Sequence, residues 1–181
     1  FTNAAIENLL AKIISRQKEL PGLLTKLSIG KAKGWSGEKL GVVVDPKRVR
    51  HWLSRKEHGV VGATIYQLIK DPALLDVDLV VVDEASQLEV PRGAIPAHLI
   101  GTRGRVVFAG DHYQLPPIIN GEYPEPDPGE PVLHRSVFEA LIDIQGGALR
   151  RQLLENFRMN ATLTSYSAEL LYGPRYVLSL I

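Results

Sequence analysis

Leu79-Val80-Val81-Val82-Asp83-Glu84 and, further along, Val106-Val107-Phe108-Ala109-Gly110-Asp111 decide the fold. Each run is continuously apolar and then turns abruptly polar. A strand with one wet face alternates apolar and polar residues, so an unbroken apolar run marks a strand covered on both faces. Gly59-Val60-Val61-Gly62-Ala63-Thr64 is a third run of the same kind. Helical segments separate them: Ile65 to Lys70, stopped by Asp71-Pro72, and a shorter one within Pro91 to Ile100. Another, Ser136 to Ile144, follows the last run. Strands alternating with helices predict an α/β domain built on a parallel sheet with helices on both faces. Ligands of such sheets bind beyond the carboxyl ends of the strands, so Thr64, Asp83-Glu84 and Asp111 are expected at one edge.

The flanking sequence extends this pattern. From Thr2 to Arg16, the residues Ile6, Leu9, Leu10 and Ile13 share one helical face, with Thr2 or Asn3 placed to cap the first turn. Leu24 to Ile29 alternates and predicts a short strand. Asp45-Pro46 reads as a helix start, and Val49, Trp52 and Leu53 then face inward. Residues 119–131 carry Gly121, Pro124, Pro126, Pro128, Gly129 and Pro131 among acids, which predicts a surface loop. Leu149 to Leu154 is a candidate strand, and Ala161 to Leu171 a helix ending near Gly173-Pro174.

Composition narrows the class of function. Of 181 residues, 45% are hydrophobic and 23% charged, the balance of a soluble globular chain. Lys and Arg number 21 against 20 Asp and Glu, so any nucleic-acid binding must come from a local patch and not from the overall field. No cysteine is present, which excludes a disulfide framework and thiolate metal sites and fits a cytoplasmic, or more broadly intracellular, setting. Apolar runs are strand-sized, far short of the roughly 20 residues needed to span a bilayer. The chain begins with Phe1 inside what reads as a helix, and is expected to be a piece of a longer protein.

Two acids at the end of a buried strand are costly unless a cation or solvent receives them. In nucleotide hydrolases the first of such a pair holds Mg²⁺ and the second polarises the attacking water, which gives Asp83 the metal role and Glu84 that of general base. The plainer reading is a pair of acids at the positive end of the next helix. Gly110-Asp111-His112-Tyr113-Gln114-Leu115-Pro116-Pro117 repeats the strand-then-polar design. There Gly110 permits close backbone approach, and Gln114 can both donate and accept hydrogen bonds, as a sensor of a terminal phosphate must. A turn closed by a double proline is the alternative.

In this order the segments resemble superfamily 1 helicases, most closely the subgroup of the nonsense-mediated mRNA decay helicase. Phe1 to Leu9 is similar to motif Ia, and Val61-Gly62-Ala63-Thr64 to the next nucleic-acid-contacting motif. Asp83 to Gln87 is similar to motif II, the Walker B element, and Gly110 to Pro117 to motif III. Ser136-Val137-Phe138-Glu139 resembles the helix after motif III, and Leu154 to Met159 resembles motif IV. The resemblance implies a RecA-like P-loop NTPase fold, truncated, with residues 1–148 forming the first RecA-like domain from motif Ia onward. A short basic insertion at 30–58 and the start of a second RecA-like domain at 149–181 complete it. ATP and Mg²⁺ are the implied cofactors, and single-stranded DNA or RNA the implied partner, with movement from 5′ to 3′. Gln114 would sense the γ-phosphate and Arg158 would reach it from across the domain cleft, where a guanidinium fork suits phosphoryl oxygens. Otherwise Arg158 is a surface charge. Thr2, Asn3 and Thr64 would touch the sugar-phosphate backbone, a role compatible with helix capping.

The chain departs from the family in one respect. No Gly-x-x-x-x-Gly-Lys-Ser/Thr loop occurs, and Gly30-Lys31 and Gly37-Glu38-Lys39 do not supply it. In the family that loop precedes motif Ia, so truncation is the expected reason, and this stretch alone is expected not to hydrolyse ATP. Between Lys31 and His58 lies a basic segment including Lys31, Lys33, Trp35, Lys39, Lys47, Arg48, Arg50, Trp52, Arg55 and Lys56. Lys31, Lys33 and the ring of Trp35, expected to be exposed, are its candidate nucleic-acid contacts, with Trp52 assigned to the core. Two alternatives share the fold: a non-catalytic nucleic-acid-binding module, and the NTPase motor of a nuclease or restriction system.

Overall fold

The computed structural model describes residues 3–19, 27–70, 76–130, 132–145 and 148–179. In chain order the elements are α1 (Asn3–Glu19), β1 (Leu27–Ala32), β2 (Val42–Val44), α2 (Val49–Ser54) and β3 (His58–Gly62). They continue with α3 (Ile65–Leu68), β4 (Val77–Val82), α4 (Val90–His98), β5 (Ile100–Phe108) and α5 (Val137–Gln145). Last come β6 (Glu155–Asn156), α6 (Ala161–Ser167) and β7 (Val177–Leu178). Every ladder among them is parallel: β2-β1-β3, β4-β5 and β6-β7. The architecture is that of parallel sheets with helices on both sides, consistent with a RecA-like P-loop NTPase fold.

Pleating shows how the first sheet is covered on two sides. Ile29 and Lys31 share one face of β1, and Gly30 and Ala32 the other. On the Ile29 face lies α1: an added Cβ at Gly62, which pairs with Lys31, would collide with Ile6 Cγ2 and stand 2.9 Å from Leu10 Cδ1. Glycine there lets helix and strand approach to contact distance. On the Ala32 face, Ala32, Val44 and Val49 are buried together, with Trp52, Leu53, Val61 and Leu68 packed on them. Asp45 caps the turn into α2, its Oδ1 accepting the Lys47 N–H at 2.9 Å, as Asp-Pro predicts.

The second core gathers Val82, Ala85, Leu88 and Val137, with Val80, Val106, Phe108, Phe138 and Leu141 against them. The α5 helix is tied here from its first residue: the Val137 N–H donates to the Leu88 carbonyl at 2.7 Å. Buried Ser136 caps it, its Oγ accepting the Phe138 N–H at 3.1 Å.

Three expectations are corrected, and one strand is added. Thr64 does not share a sheet with Asp83 and Asp111, because β3 pairs with β1 and the β4-β5 ladder stands apart. The strand expected over Leu24 to Ile29 runs from Leu27 to Ala32, since β2 and β3 extend its register; residues 24–26 lie outside the described residues. Val42–Val44 forms a strand that the sequence reading does not anticipate, though its three β-branched residues favour one. Leu149 to Leu154 forms no ladder, and Leu149 and Leu153 are 79% and 87% exposed, because the short partner β7 pairs only with Glu155 and Asn156. Residues 119–130 hold no helix or strand, in keeping with the expected loop.

Candidate functional site

Asp83 and Glu84 leave β4 into an open setting: both side chains are exposed at the carboxyl end of the strand. Solvent therefore meets the cost of two adjacent charges. Asp83 Oδ1 accepts the Glu84 N–H at 3.0 Å, turning the chain sharply. Glu84 sits in the left-handed region at φ 51° and ψ 36°, a conformation rarely adopted by residues other than glycine. Backbone held in so sparse a region is characteristic of functional turns.

The turn after β5 locks onto this one. Ala109 N–H donates to the Val82 carbonyl at 2.8 Å, and Ala85 N–H to the Ala109 carbonyl at 2.8 Å, so the two backbones stay bonded beyond the strands. A Cβ added at Gly110 would stand 2.7 Å from Ser86 N, which explains the glycine. Asp111 N–H then donates to Ser86 Oγ at 3.3 Å. Asp111 organises its own loop: Oδ1 accepts the Tyr113 N–H at 3.1 Å and Oδ2 accepts Gln114 Nε2 at 2.9 Å. Burial opposes ionisation of Asp111, but the hydrogen bonds from Tyr172, Gln114 and the Tyr113 N–H outweigh it and hold the carboxyl below its usual range. The two turns thus form one interlocked surface carrying Asp83, Glu84 and Gln114, all three exposed.

Arg158 is exposed on the loop after β6, and among the described residues no hydrogen bond or ion pair joins its guanidinium to Asp83, Glu84 or Gln114. Its backbone is set by buried Asn156, whose Oδ1 accepts the Arg158 and Met159 N–H groups at 2.9 and 3.2 Å. Asn156 Nδ2 donates to Thr164 Oγ1 at 2.8 Å. Sequence reasoning missed this organiser, although an Asn inside a Glu-Asn-Phe-Arg stretch is a natural turn former.

The proposed nucleic-acid contacts separate. Thr2 lies outside the described residues. Asn3 opens α1 with its Oδ1 shielded and, among the described residues, without a hydrogen-bond partner. Thr64 caps α3, its N–H donating to Gln67 Oε1 at 2.8 Å. It also lines a cleft of about 210 Å³ with Ile65, Tyr66, Gln87, Leu88 and Arg92, which brings it near the turn after β4 through side chains instead of a shared ladder. Lys33 is exposed at φ 71°.

Two contacts are corrected. Lys31 is 1% exposed, with Nζ 2.9 Å from Glu7 Oε1 and donating to the Gly34 carbonyl at 2.5 Å. Its neighbours on the α1 face of β1 hold it inside, where it cannot reach a phosphate. Trp35 is half-buried, its indole nitrogen shielded and Lys31 Nζ 5.9 Å from its ring, so it is not the exposed platform expected. Exposed basic side chains also stand on and beside α2. Arg48, His51, Arg55 and Lys56 line a groove of about 400 Å³ with Trp52, and Lys56 Nζ lies 5.5 Å above the Trp52 ring. Trp52 therefore serves the core on one side and the groove on the other.

Residues 49–122 match the family model described as an AAA domain. Across 100 residues the chain is 35% identical to the DNA replication ATP-dependent helicase/nuclease dna2 of Schizosaccharomyces pombe, covering 55% of this chain and 7% of that protein. The DNA polymerase alpha-associated DNA helicase A of the same yeast is 32% identical over 100 residues, covering 55% of this chain and 13% of the relative. The likeness to the DNA replication ATP-dependent helicase/nuclease JHS1 of Arabidopsis thaliana extends over 97% of this chain at 27% identity, and over 12% of that protein. Each of these three relatives is named as a helicase. The AAA-domain match contains both strands of the interlocked site, Asp83, Glu84 and Gln114, and the basic groove from Val49 onward. The chain spans 13% or less of the length of these three relatives. No helix among the described residues is long and apolar enough to cross a membrane.

Proposed function

We propose that this chain is the part of an ATP-dependent superfamily 1 helicase that carries the metal-binding acid, the general base and the phosphate-sensing glutamine. The observation that carries the proposal is the interlock of the Asp83-Glu84 turn with the Gly110–Gln114 turn, on adjacent parallel strands, with all three functional side chains facing solvent. Residues 1–148 would be the first RecA-like domain and 149–181 the start of the second. Movement along a single strand of DNA or RNA, from 5′ to 3′ in the manner of the subgroup the motifs resemble, belongs to this reading. So does an intracellular location.

The residues present fit a magnesium ion. Mg²⁺ in nucleotide hydrolases is held by one or two carboxylates and the substrate's phosphates, and Asp83 presents an exposed carboxylate at a strand end. When bound, the ion supplies charge neutralisation on the phosphate oxygens. Glu84 accepts a proton from the attacking water, and its distorted backbone aims a carboxylate that would otherwise continue the strand's alternation. Gln114, tethered to Asp111, presents its amide to a phosphate oxygen. Arg158 belongs to the same proposal as the guanidinium that closes on the phosphate when the two domains approach. A phosphate-binding loop is not among these 181 residues, so turnover is expected of the longer protein and not of this stretch alone. The α2 groove and Lys33, with Thr64 and Asn3, are the proposed path of the strand.

The test is ATP hydrolysis by the intact protein with single-stranded DNA and RNA supplied in parallel. Stimulated turnover supports the motor and names its nucleic acid. Strand binding without turnover supports a non-catalytic module instead.

A further inference from the structure

Tyr172 ends the turn after α6, far along the chain from motif III, yet its Oη donates to Asp111 Oδ2 at 2.5 Å. That same oxygen accepts Gln114 Nε2 at 2.9 Å. One carboxylate oxygen therefore holds both the glutamine of motif III and a hydroxyl from the 149–179 segment. Bonds to an ionised carboxylate are short and strong, and this one is half-buried. The Tyr113 ring meets the Tyr172 ring edge-on at a centroid distance of 5.5 Å, and Tyr176 lies 4.6 Å from Tyr172. The Tyr172 carbonyl accepts Gln152 Nε2 at 2.7 Å, which fixes the tyrosine to the start of its own segment. Behind Asp111, its N–H reaches Ser86 Oγ, so the chain of bonds runs from Tyr172 through Asp111 to the turn that carries Glu84.

We propose that Tyr172 is a positioning residue for Gln114, acting through Asp111, and that it couples the placement of the 149–179 segment to the glutamine's readiness to meet a phosphate. While Tyr172 holds Oδ2, the carboxylate cannot rotate and the amide of Gln114 stays aligned. Withdrawing the segment removes the hydroxyl, frees the carboxylate and lets Gln114 swing. Burial and the neighbouring Asp111 charge push the Tyr172 hydroxyl well above its ordinary range, so it remains a donor at all physiological pH values. The inference rests on the phosphate-sensing role of Gln114 proposed above.

Amide hydrogen exchange of the intact protein tests the contact without requiring activity. Tyr172→Phe removes only the hydroxyl, and exchange at Tyr113 and Gln114 is expected to quicken about tenfold or more, the scale of one hydrogen bond to a charged group. Tyr176→Phe, in the same ring stack, should leave those amides unchanged. In an Asp111→Asn background, Tyr172→Phe should add little. Strand-stimulated kcat should fall in Tyr172→Phe with KM for ATP unchanged. Unchanged exchange at Tyr113 and Gln114 overturns the proposal, as does faster exchange spread through β6 and β7, which marks a packing residue. Faster exchange at the two amides with kcat unaltered also overturns it. If Tyr172→Phe shows the exchange effect but the wild-type protein never hydrolyses ATP, the motor reading fails while the Tyr172–Asp111 contact stands.

Discussion

Lys31 Nζ sits 2.9 Å from Glu7 Oε1, a buried lysine of β1 clasped by an acid of α1. The same carboxylate accepts the Ser36 N–H at 2.7 Å, the Ser36 hydroxyl at 2.8 Å and the Gly37 N–H at 3.2 Å. Glu7 thus joins the helix, the strand and the loop that carries Trp35. The Ser36 backbone N–H, followed by Lys31, holds its pKa down to about 2.

A pH dependence follows. A carboxylate whose folded pKa is depressed contributes stability that is fully present above its unfolded value and lost as pH falls through the folded one. For Glu7 that window runs from the ordinary value of 4.5 down to about 2. Trp35 fluorescence followed through an acid titration is expected to report release of the loop within that window. Glu7→Gln should remove this step, and a step unchanged in that variant would assign it to another acid.

Gly110→Ala places a methyl group 2.7 Å from Ser86 N, against backbone that has no side-chain freedom to yield. A destabilisation of about 1–3 kcal/mol is expected, seen as a lowered Tm, as for other overpacked sites. Because the displaced turn carries Glu84, ATP turnover should fall further than stability alone accounts for. Unaltered Tm and turnover would show that the two turns are not rigidly joined.

The strand's path is testable through salt. Arg48→Ala with Arg55→Ala removes two exposed cations from the α2 groove. Affinity for a single strand should drop, and the slope of log K against log salt should flatten by roughly 0.7 for each phosphate no longer neutralised. Lys31→Met serves as contrast: its lysine is buried, so the slope should not change while stability falls. Equal slopes in the groove variant and wild type would take α2 out of the interface.

The sheet and its site were readable where the chain itself encodes them. The runs at β4 and β5 are apolar over consecutive residues and end in polar turns, so both strands and the placement of Asp83 and Glu84 at a strand end followed from the pattern, but cover on both faces did not: Leu79, Val81 and Val107 are 55%, 50% and 48% exposed. Burial of individual charges did not. Nothing in Gly30-Lys31-Ala32 says that Lys31 faces α1; that depends on which side of β1 the helix lies, and Glu7 is distant in sequence. The same holds for Thr64, whose strand pairs with β1, and for Asp111, whose second donor comes from Tyr172. Pairings among distant segments were hidden, whereas local capping at Asp45 was not.

Glu84→Gln in the intact protein tests the motor most directly, because it exchanges the base for an amide of nearly equal volume. ATP hydrolysis stimulated by a single strand is expected to fall about 10²–10⁴-fold, the usual contribution of a general base, while binding of ATP and of the strand persists. Turnover at the wild-type rate in that variant would contradict the assignment of Glu84 and, with it, the reading of the β4 and β5 turns as the hydrolytic site.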